Sequence, residues 1–460
     1  MTRRARFSPP GSTHRQRGAG ALIVVLVLFF VMSLVAAYSS RNIIFEQKTS
    51  ANQYRSSQAA EAAEAGIEWA IAMLNAGNVD ANCQPVAAGG ISFANRYLTI
   101  DTTNSATSGT MSAVTWPGPG GNVYQVGCVG NAGGGWTCQC PTGKNMNLGA
   151  AGGGITTPAF MIYFGGGGPG TIAINSVGCS QVDYVNCLVQ AGGQLSSGEA
   201  VVRLNAVIAL KGAVATPPSA ALTVPGTVCA TSTSTFTNLE PRVNGTTVDS
   251  GGGITVSPAC PQPRLVSMPG TPSSVPPPDT WLAQVLNPPA APTAPSTPAQ
   301  FLQWVLGMPS TAGSPMYQQQ PAAIRLACPA DCAAANLVTV AANNPGRILW
   351  LTADPATGDV TIDSPAAVNI GSATGPIVMV VNGNLNVPTA AVTIFGLVYG
   401  NNNGGNWTVS GSPVVQGAMV GDGNLTAVGS PSVIYDFGIL NLLRLASGSY
   451  VRVPGSWQGG

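Results

Sequence analysis

The feature that most constrains this chain is a long uncharged segment near its N-terminus. No charged residue occurs from Gly18 to Ser40, and the run ALIVVLVLFFVMSLV occupies residues 21–35. About 20 apolar residues in a helix cross the roughly 30 Å hydrocarbon layer of a membrane, where backbone groups must be satisfied within the helix. The segment therefore predicts a membrane-spanning helix at residues 19–40.

The helical pattern continues beyond the apolar run. No proline lies between Pro10 and Pro85, and residues 41–75 are rich in helix formers. A cleaved secretory signal peptide is the alternative, but it has a shorter apolar region followed closely by a small-residue cleavage site. The pattern instead predicts one continuous helix over residues 19–77, which begins in the membrane and ends against a folded domain.

Charge sets the expected orientation of this helix. Five arginines lie in the first 17 residues, which contain no acidic residue, whereas Arg41 is the nearest basic residue on the other side. The positive-inside rule then places the leader, residues 1–18, in the cytoplasm and the rest outside it. Later lysines and arginines are scattered, which disfavours nucleic-acid binding, and the single histidine, His14, lies in the leader.

The N-terminal region resembles a known family. Basic residues, a glycine, the apolar run and then QAAEAAEAGIE at residues 58–68 follow in the order found in PilX-like minor pilins of type IV pili. The resemblance covers residues 15 to about 75. It implies cleavage by a prepilin peptidase after Gly18 or Gly20, so that Ala19 or Ala21 becomes the N-terminus.

The resemblance also implies how the helix is used. Major pilins carry a glutamate at the fifth mature position, where this chain has Ile23 or Val25, depending on the cleavage site. A buried carboxylate needs a partner, and the family's glutamate pairs with a neighbour's N-terminal amine. Its absence favours a position at the tip or a role in priming over a repeated place in the filament body.

The expected partners are other minor pilins, the major pilin, the prepilin peptidase and the inner membrane, with a large tip adhesin as a further candidate. The residues expected to mediate helix assembly are Leu22, Ile23, Val25, Glu46, Glu61 and Glu64. Glu61, Glu64 and Glu68 share one side of the helix, where a solvated stripe is the alternative to pairing with a neighbour's basic residues. The expected location is the inner membrane with a periplasmic body, and then the pilus or cell surface.

All ten cysteines follow the apolar segment, which indicates disulfides formed in an oxidising periplasm. The local pairs predicted are Cys179 with Cys187, Cys229 with Cys260 and Cys328 with Cys332, although spacing alone does not determine connectivity. Zinc is the competing interpretation of Cys138-Gln-Cys140 and of the Cys328 to Cys332 segment, but neither has a nearby histidine.

The sequence as a whole predicts an α+β fold. A long pilin-type helix precedes a β-rich, disulfide-containing extracytoplasmic region. Residues 78–265 form a glycine-rich β domain, with strands expected at 160–164 and 200–214. Residues 266–300 form a proline-rich linker, within which Asp279 is suited to cap a short helix. Residues 301–460 form the C-terminal domain.

A repeat in the C-terminal domain predicts a β-solenoid-like part. GlyAsnLeu occurs at 383–385 and again at 423–425. Half of the interval between these copies corresponds to one turn of a solenoid, about 20 residues. With no helical period between the repeats, short strands and tight turns are expected. The region is similar to the small β-helix-like domain at the end of some long PilX-like proteins.

No arrangement of catalytic groups is recognisable, and neither a metal nor a cofactor is expected. Asp354, Asp359 and Asp363 do not have EF-hand spacing, so turns are favoured over a calcium loop. The predicted function is that of a non-enzymatic minor pilin of a type IV pilus or a related secretion pseudopilus. The main alternative is a permanently anchored β-solenoid adhesin or envelope protein, and a weaker one is a solenoid carbohydrate hydrolase.

Overall fold

The computed structural model describes residues 18–86, 91–101, 109–115, 125–131, 134–142, 157–168, 170–180, 200–269, 275–307, 323–344, 347–389, 392–445 and 448–459. The structural statements below concern these ranges. The basic leader with His14, and Cys187, lie outside them.

A single helix, α1, runs from Gly18 to Leu74 and contains 57 residues. At 1.5 Å per residue it is about 85 Å long. The prediction of one unbroken helix is confirmed, and its end lies three residues before the predicted boundary at Gly77. Just beyond this end, the Nδ2 group of Asn75 donates a hydrogen bond to the carbonyl of Ile71 at 2.9 Å.

The C-terminal part of α1 packs on an antiparallel sheet. Its strands are β5 (Gln125–Gly130), β6 (Trp136–Gln139), β7 (Ala159–Gly168), β8 (Thr171–Cys179), β9 (Val201–Gly212), β26 (Gly448–Arg452) and β27 (Gln458–Gly459). Their order is β26-β9-β8-β7-β5-β6, and β27 also pairs with β9. We call this sheet with α1 the helix-bearing domain. Strand β7 includes the strand predicted at 160–164, and β9 lies within the strand predicted at 200–214.

Small elements complete the helix-bearing domain. They are β1 (Asn78–Val79), β2 (Ile91–Ser92), α2 (Phe93–Tyr97), β3 (Leu98–Ile100) and β4 (Met111–Ala113). The ring of Phe93 meets that of Trp69 on α1 edge-on, with centroids 5.6 Å apart. This aromatic contact joins the small elements to the helix and the sheet in one core.

The second body consists of parallel strands in two sheets. The first seven strands are β10 (Leu222–Val224), β11 (Val228–Cys229), β12 (Thr235–Asn238), β13 (Val248–Ser250), β14 (Arg264–Ser267), β15 (Ala323–Ala327) and β16 (Ile348–Thr352). The others are β17 (Asp359–Thr361), β18 (Val368–Ile370), β19 (Ile377–Asn382), β20 (Asn384–Val387), β21 (Val392–Asn401), β22 (Asn406–Gly411), β23 (Val414–Gly421), β24 (Asn424–Gly429) and β25 (Ser432–Tyr435). We call this body the parallel domain.

The two sheets of the parallel domain have the orders β14-β12-β25-β23-β21-β19-β16-β15 and β11-β24-β22-β20-β17, and strands β10, β13 and β18 join the larger sheet at its sides. Successive strands from β19 to β25 alternate between the two sheets. The register places Ile377 beside Gly396 and Gly396 beside Gly417. The chain therefore winds once through the two sheets in about 20 residues.

Close packing between neighbouring turns depends on glycine. Gly396 and Gly417 have φ angles of 144° and 137°. A Cβ at Gly417 would collide with the carbonyl oxygen of Gly396, so the close approach of these two strands requires glycine.

Four helices pack on the parallel domain or lie beside it: α3 (Thr280–Ala283), α4 (Pro298–Leu306), α5 (Ala334–Asn343) and α6 (Phe437–Leu445). Asp279 caps α3 as predicted, with Oδ1 accepting from the Trp281 amide at 2.7 Å. Phe301 and Val305 of α4 are buried in the core of the parallel domain. Leu282 and Val285, within the predicted linker at 266–300, are buried in the same core, so the described part of this segment covers the domain and is not a free linker.

Strand pairing divides the chain differently from the predicted boundaries. Strands between residues 222 and 267, expected in the glycine-rich domain, pair with one another and with β23, β24 and β25 of the parallel domain. The last strands return to the helix-bearing domain, where Gly448 pairs with Gly212. The parallel domain, residues 213–445, is thus inserted between two neighbouring strands of the other sheet.

Candidate functional site

The N-terminal part of α1 carries most of the exposed large apolar side chains of the described residues. Every residue from Gly20 to Tyr54 is exposed, and the predicted assembly residues Leu22, Ile23 and Val25 are 67%, 63% and 66% exposed. The most apolar 18-residue window of this helix has a mean hydropathy of 2.9, and none of it is buried in the protein. A continuous apolar surface of this size requires lipid or another apolar helix around it.

Small residues fix the other end of α1 to the sheet. Ala59, Ala62, Ala63 and Gly66, which recur at helical spacing in the sequence, are all buried. A Cβ at Gly178 of β8 would collide with the backbone of Ala59 and Ala63. Because the helix backbone lies directly on the strand, the exposed half projects from the body in a direction set by this contact.

The acidic residues of α1 divide into paired and unpaired positions. Glu68 forms an ion pair with Arg452 of β26, with 3.1 Å between Oε1 and Nη1. Glu46, Glu61 and Glu64 are exposed and make no ion pair with any described residue. Their carboxylates are therefore available to groups outside this chain.

The basic residues of α1 lie on another face of the helix. Arg41, Lys48 and Arg55 recur every seven residues, which places them along one stripe. The guanidinium of Arg41 lies 5.9 Å from the ring centroid of Phe45 on the same helix. No ion pair involves this stripe within the part of the chain that the structure describes.

A cavity of about 350 Å³ opens where α1 leaves the body. Its helical wall contains Tyr54, Ser57, Gln58 and Glu61, and its opposite wall contains Trp136 and Pro158. Trp136 belongs to the edge strand β6, where it packs edge-on against Phe160 with ring centroids 4.6 Å apart. Sequence reasoning missed this cavity, because Trp136 stands in a glycine-rich stretch interpreted as loops.

A second groove of about 350 Å³ is lined by Glu64, Arg452 and Trp457, among others. The guanidinium of Arg452 lies 5.5 Å from the ring centroid of Trp457 and pairs with Glu68. This groove therefore already contains a cation of the chain itself beside its aromatic ring.

The cysteines form disulfides wherever the structure describes both partners. The bonds are Cys83–Cys140, Cys128–Cys138, Cys229–Cys260 and Cys328–Cys332. The last two confirm predicted pairs. Cys179 is also disulfide-bonded, but its predicted partner Cys187 lies outside the described residues. Because Cys138 and Cys140 bind different partner cysteines, the zinc alternative at this segment is wrong.

The aspartates considered as a calcium loop serve local structure. Asp354 accepts a hydrogen bond from the Ala356 amide at 2.9 Å, and Asp359 accepts one from Asn384 Nδ2 at 3.1 Å. Among the described residues no group of three or more histidine, cysteine or acidic side chains is arranged to hold a metal ion.

Asp422 is the most deeply buried carboxylate described, with no exposed surface. Its Oδ1 accepts from the Asn402 amide at 2.9 Å, whereas its Oδ2 has no partner. Burial raises the pKa of Asp422 to about 6, against the opposing effect of backbone amides in the turn at residues 402–404. The side chain therefore organises this turn.

Comparison with known proteins identifies the exposed helix. Residues 17–68 match the family model described as PilX N-terminal. This part of the chain is similar to PilX N-terminal regions. The match confirms the resemblance inferred from the apolar run and the QAAEAAEAGIE segment, and it covers the free half of α1 together with the small residues that bind it to the sheet.

No curated protein matches the chain. Among solved structures, that of the competence-associated pilin ComZ from Thermus thermophilus aligns with 88% of this chain and 97% of its own, at 12% identity. The TM-score of this alignment is 0.23.

Proposed function

We propose that this protein is a non-enzymatic minor pilin or pseudopilin, which primes or caps a type IV pilus or a related secretion pseudopilus. The observation that carries the proposal is a PilX N-terminal region on a helix whose residues 20–54 are all exposed. Such a helix exchanges lipid for an equally apolar bundle of neighbouring helices at little cost in hydrophobic free energy.

In this proposal the basic leader stays in the cytoplasm and the body lies in the periplasm. Prepilin peptidase cuts after Gly18 or Gly20, and the new N-terminus enters the helix bundle of the filament. The fifth mature residue is then Ile23 or Val25, neither of which can form the buried charge pair of a repeating subunit. The lack of a glutamate at this position favours a place at the end of the filament.

The size of the body supports the same position. The parallel domain, residues 213–445, is attached through adjacent strands of the helix-bearing domain. At a filament end such a bulky domain meets fewer neighbours than in the body. Its partners are other minor pilins, the major pilin and any larger tip protein that it presents.

The test replaces Gly18 and Gly20 by valine, singly and together, in the host that makes the protein. We expect the double variant to retain its leader, remain in the membrane and reduce the number of surface pili. The single variants identify the cleavage site, since only one of them should block processing. Normal pili, together with an unprocessed double variant, would contradict the proposal and favour a permanently anchored envelope protein.

A further inference from the structure

The cavity at the base of the exposed helix is built by two parts of the fold. Tyr54, Ser57, Gln58 and Glu61 follow the i, i+3, i+4, i+7 pattern, so they share one face of α1. Trp136, at the edge of the antiparallel sheet, lines the same cavity from the side opposite this face. The cavity therefore exists only because α1 is held against the sheet.

Its walls have the chemistry of a site for an organic cation. The aromatic side chains of Tyr54 and Trp136 line it, and the carboxylate of Glu61 provides a negative charge without an ion-pair partner among the described residues. Aromatic rings with a nearby carboxylate attract ammonium and guanidinium groups. No lysine or arginine of the described chain lines the cavity, in contrast to the groove that Arg452 lines.

The position of the cavity limits what can bring a cation to it. Tyr54 is 69% exposed and is the last of the continuously exposed residues of α1. Anything that packs along the free half of the helix consequently reaches the mouth of the cavity. A neighbouring helix with basic residues at intervals of two turns, such as Arg41, Lys48 and Arg55 provide on α1 itself, offers suitable cations.

We infer that this cavity receives a lysine or arginine side chain from the N-terminal helix of a neighbouring pilin-type subunit. The inference rests on the proposed function, which places such a helix beside α1. It adds a specific polar contact to an otherwise apolar and non-directional helix interface, and this contact fixes the axial offset between the two subunits.

The test places a photo-crosslinking amino acid at Ser57 of the full-length protein in its host, and identifies the crosslinked peptides by mass spectrometry. We expect them to come from the N-terminal helix of a pilin-type subunit, this chain's own α1 included, within one helical turn of a lysine or arginine. Glu61→Gln should lower the yield about fivefold, the size of an interaction of about 1 kcal/mol.

Matched variants separate binding from folding. Glu68→Gln removes the same charge from the same helix outside the cavity, at a carboxylate that Arg452 already pairs within the chain, and we expect the yield to be unchanged. Tyr54→Ala should lower the yield, while Tyr54→Phe, which keeps the ring, should preserve it. Once the partner cation is identified, its replacement by glutamate combined with Glu61→Lys should restore crosslinking.

The inference is wrong if crosslinks form with a pilin-type helix but do not depend on Glu61, or if they reach only lipid or peptides without a nearby cation. The first of these results would leave the proposed function intact. Retention of the leader in the unmodified protein and its absence from pili would instead contradict the proposed function itself.

Discussion

The side-chain amide of Asn75 forms two hydrogen bonds with the backbone of Tyr450. Its Nδ2 donates to the Tyr450 carbonyl at 2.8 Å, and its Oδ1 accepts from the Tyr450 amide at 2.8 Å. The end of α1 thereby holds the strand that follows the inserted parallel domain. Together with the ion pair between Glu68 and Arg452, this contact ties the C-terminal strands to the helix.

Removing the hydrogen bonds between Asn75 and Tyr450 should make β26 open more often to solvent. Asn75→Ala eliminates the two partly buried hydrogen bonds to Tyr450, worth about 1 kcal/mol each, so the amides of residues 448–452 should exchange with solvent about 30-fold faster. Hydrogen exchange read by mass spectrometry checks this in the full-length protein. Asn82→Ala, at an exposed position, is the control, and equal protection in both variants would show that Asn75 does not hold the strand.

The close contact between α1 and β8 should be intolerant of a single methyl group. In Gly178→Ala the new Cβ meets the backbone of Ala59 and Ala63, which cannot move without shifting the helix. We expect a loss of about 1 to 3 kcal/mol in the free energy of unfolding. Urea unfolding followed by tryptophan fluorescence measures this loss.

Gly166→Ala provides the comparison, because a Cβ at Gly166 has nothing within 4 Å. Its effect should lie within about 0.5 kcal/mol of zero. Similar losses in the two glycine variants would mean that α1 does not lie against the sheet as closely as described.

The Cys229–Cys260 disulfide should contribute substantially to the stability of the parallel domain. It joins residues separated by 31 positions, and constraining a loop of that length in the unfolded chain stabilises the fold by about 3 to 4 kcal/mol. The paired variant Cys229→Ala with Cys260→Ala should lose this amount in chemical unfolding. The difference from the unmodified protein should disappear under reducing conditions, and a difference that persists there would point to lost packing.

Asp422 should make the stability of the parallel domain depend on pH. Its folded pKa of about 6 lies above the ordinary 3.8, so its favourable contribution is complete below about pH 4 and is lost as the pH rises through 6. Relative to Asp422→Asn, the unmodified protein should lose at most about 3 kcal/mol between pH 4 and 7.

Burial also raises the pKa of Asp249 to about 6, but this residue is common to both proteins and its effect cancels in the comparison. Thermal unfolding across this pH range provides the measurement. A constant difference between the two proteins would mean that Asp422 keeps an ordinary pKa.

Secondary-structure elements that depend on neighbouring residues could be predicted from local sequence patterns. The uncharged run from residue 18 and the lack of proline determine α1, alternation predicts β9, and Asp279 marks the start of α3. The buried faces of these elements follow from the same periodicity.

Long-range pairing was not predictable in this way. Leu222 pairs with Met419, and Gly212 pairs with Gly448. No local sequence pattern indicates which of these distant strands pair. The proline-rich segment at 266–300 has the composition of a linker, yet Leu282 and Val285 anchor it in the core. The cavity at Tyr54 and Trp136 depends on such a distant contact, whereas the exposed assembly helix does not.

The proposed function requires that the N-terminal helix loses its leader and enters a filament. Mass spectrometry of the N-terminal peptide tests both steps when the protein is recovered separately from the pili and from the membranes of the native host. We expect the protein in the pili to begin at Ala19 or Ala21. Protein that is found only in the membranes and begins at Met1 or Thr2 would show that neither step takes place.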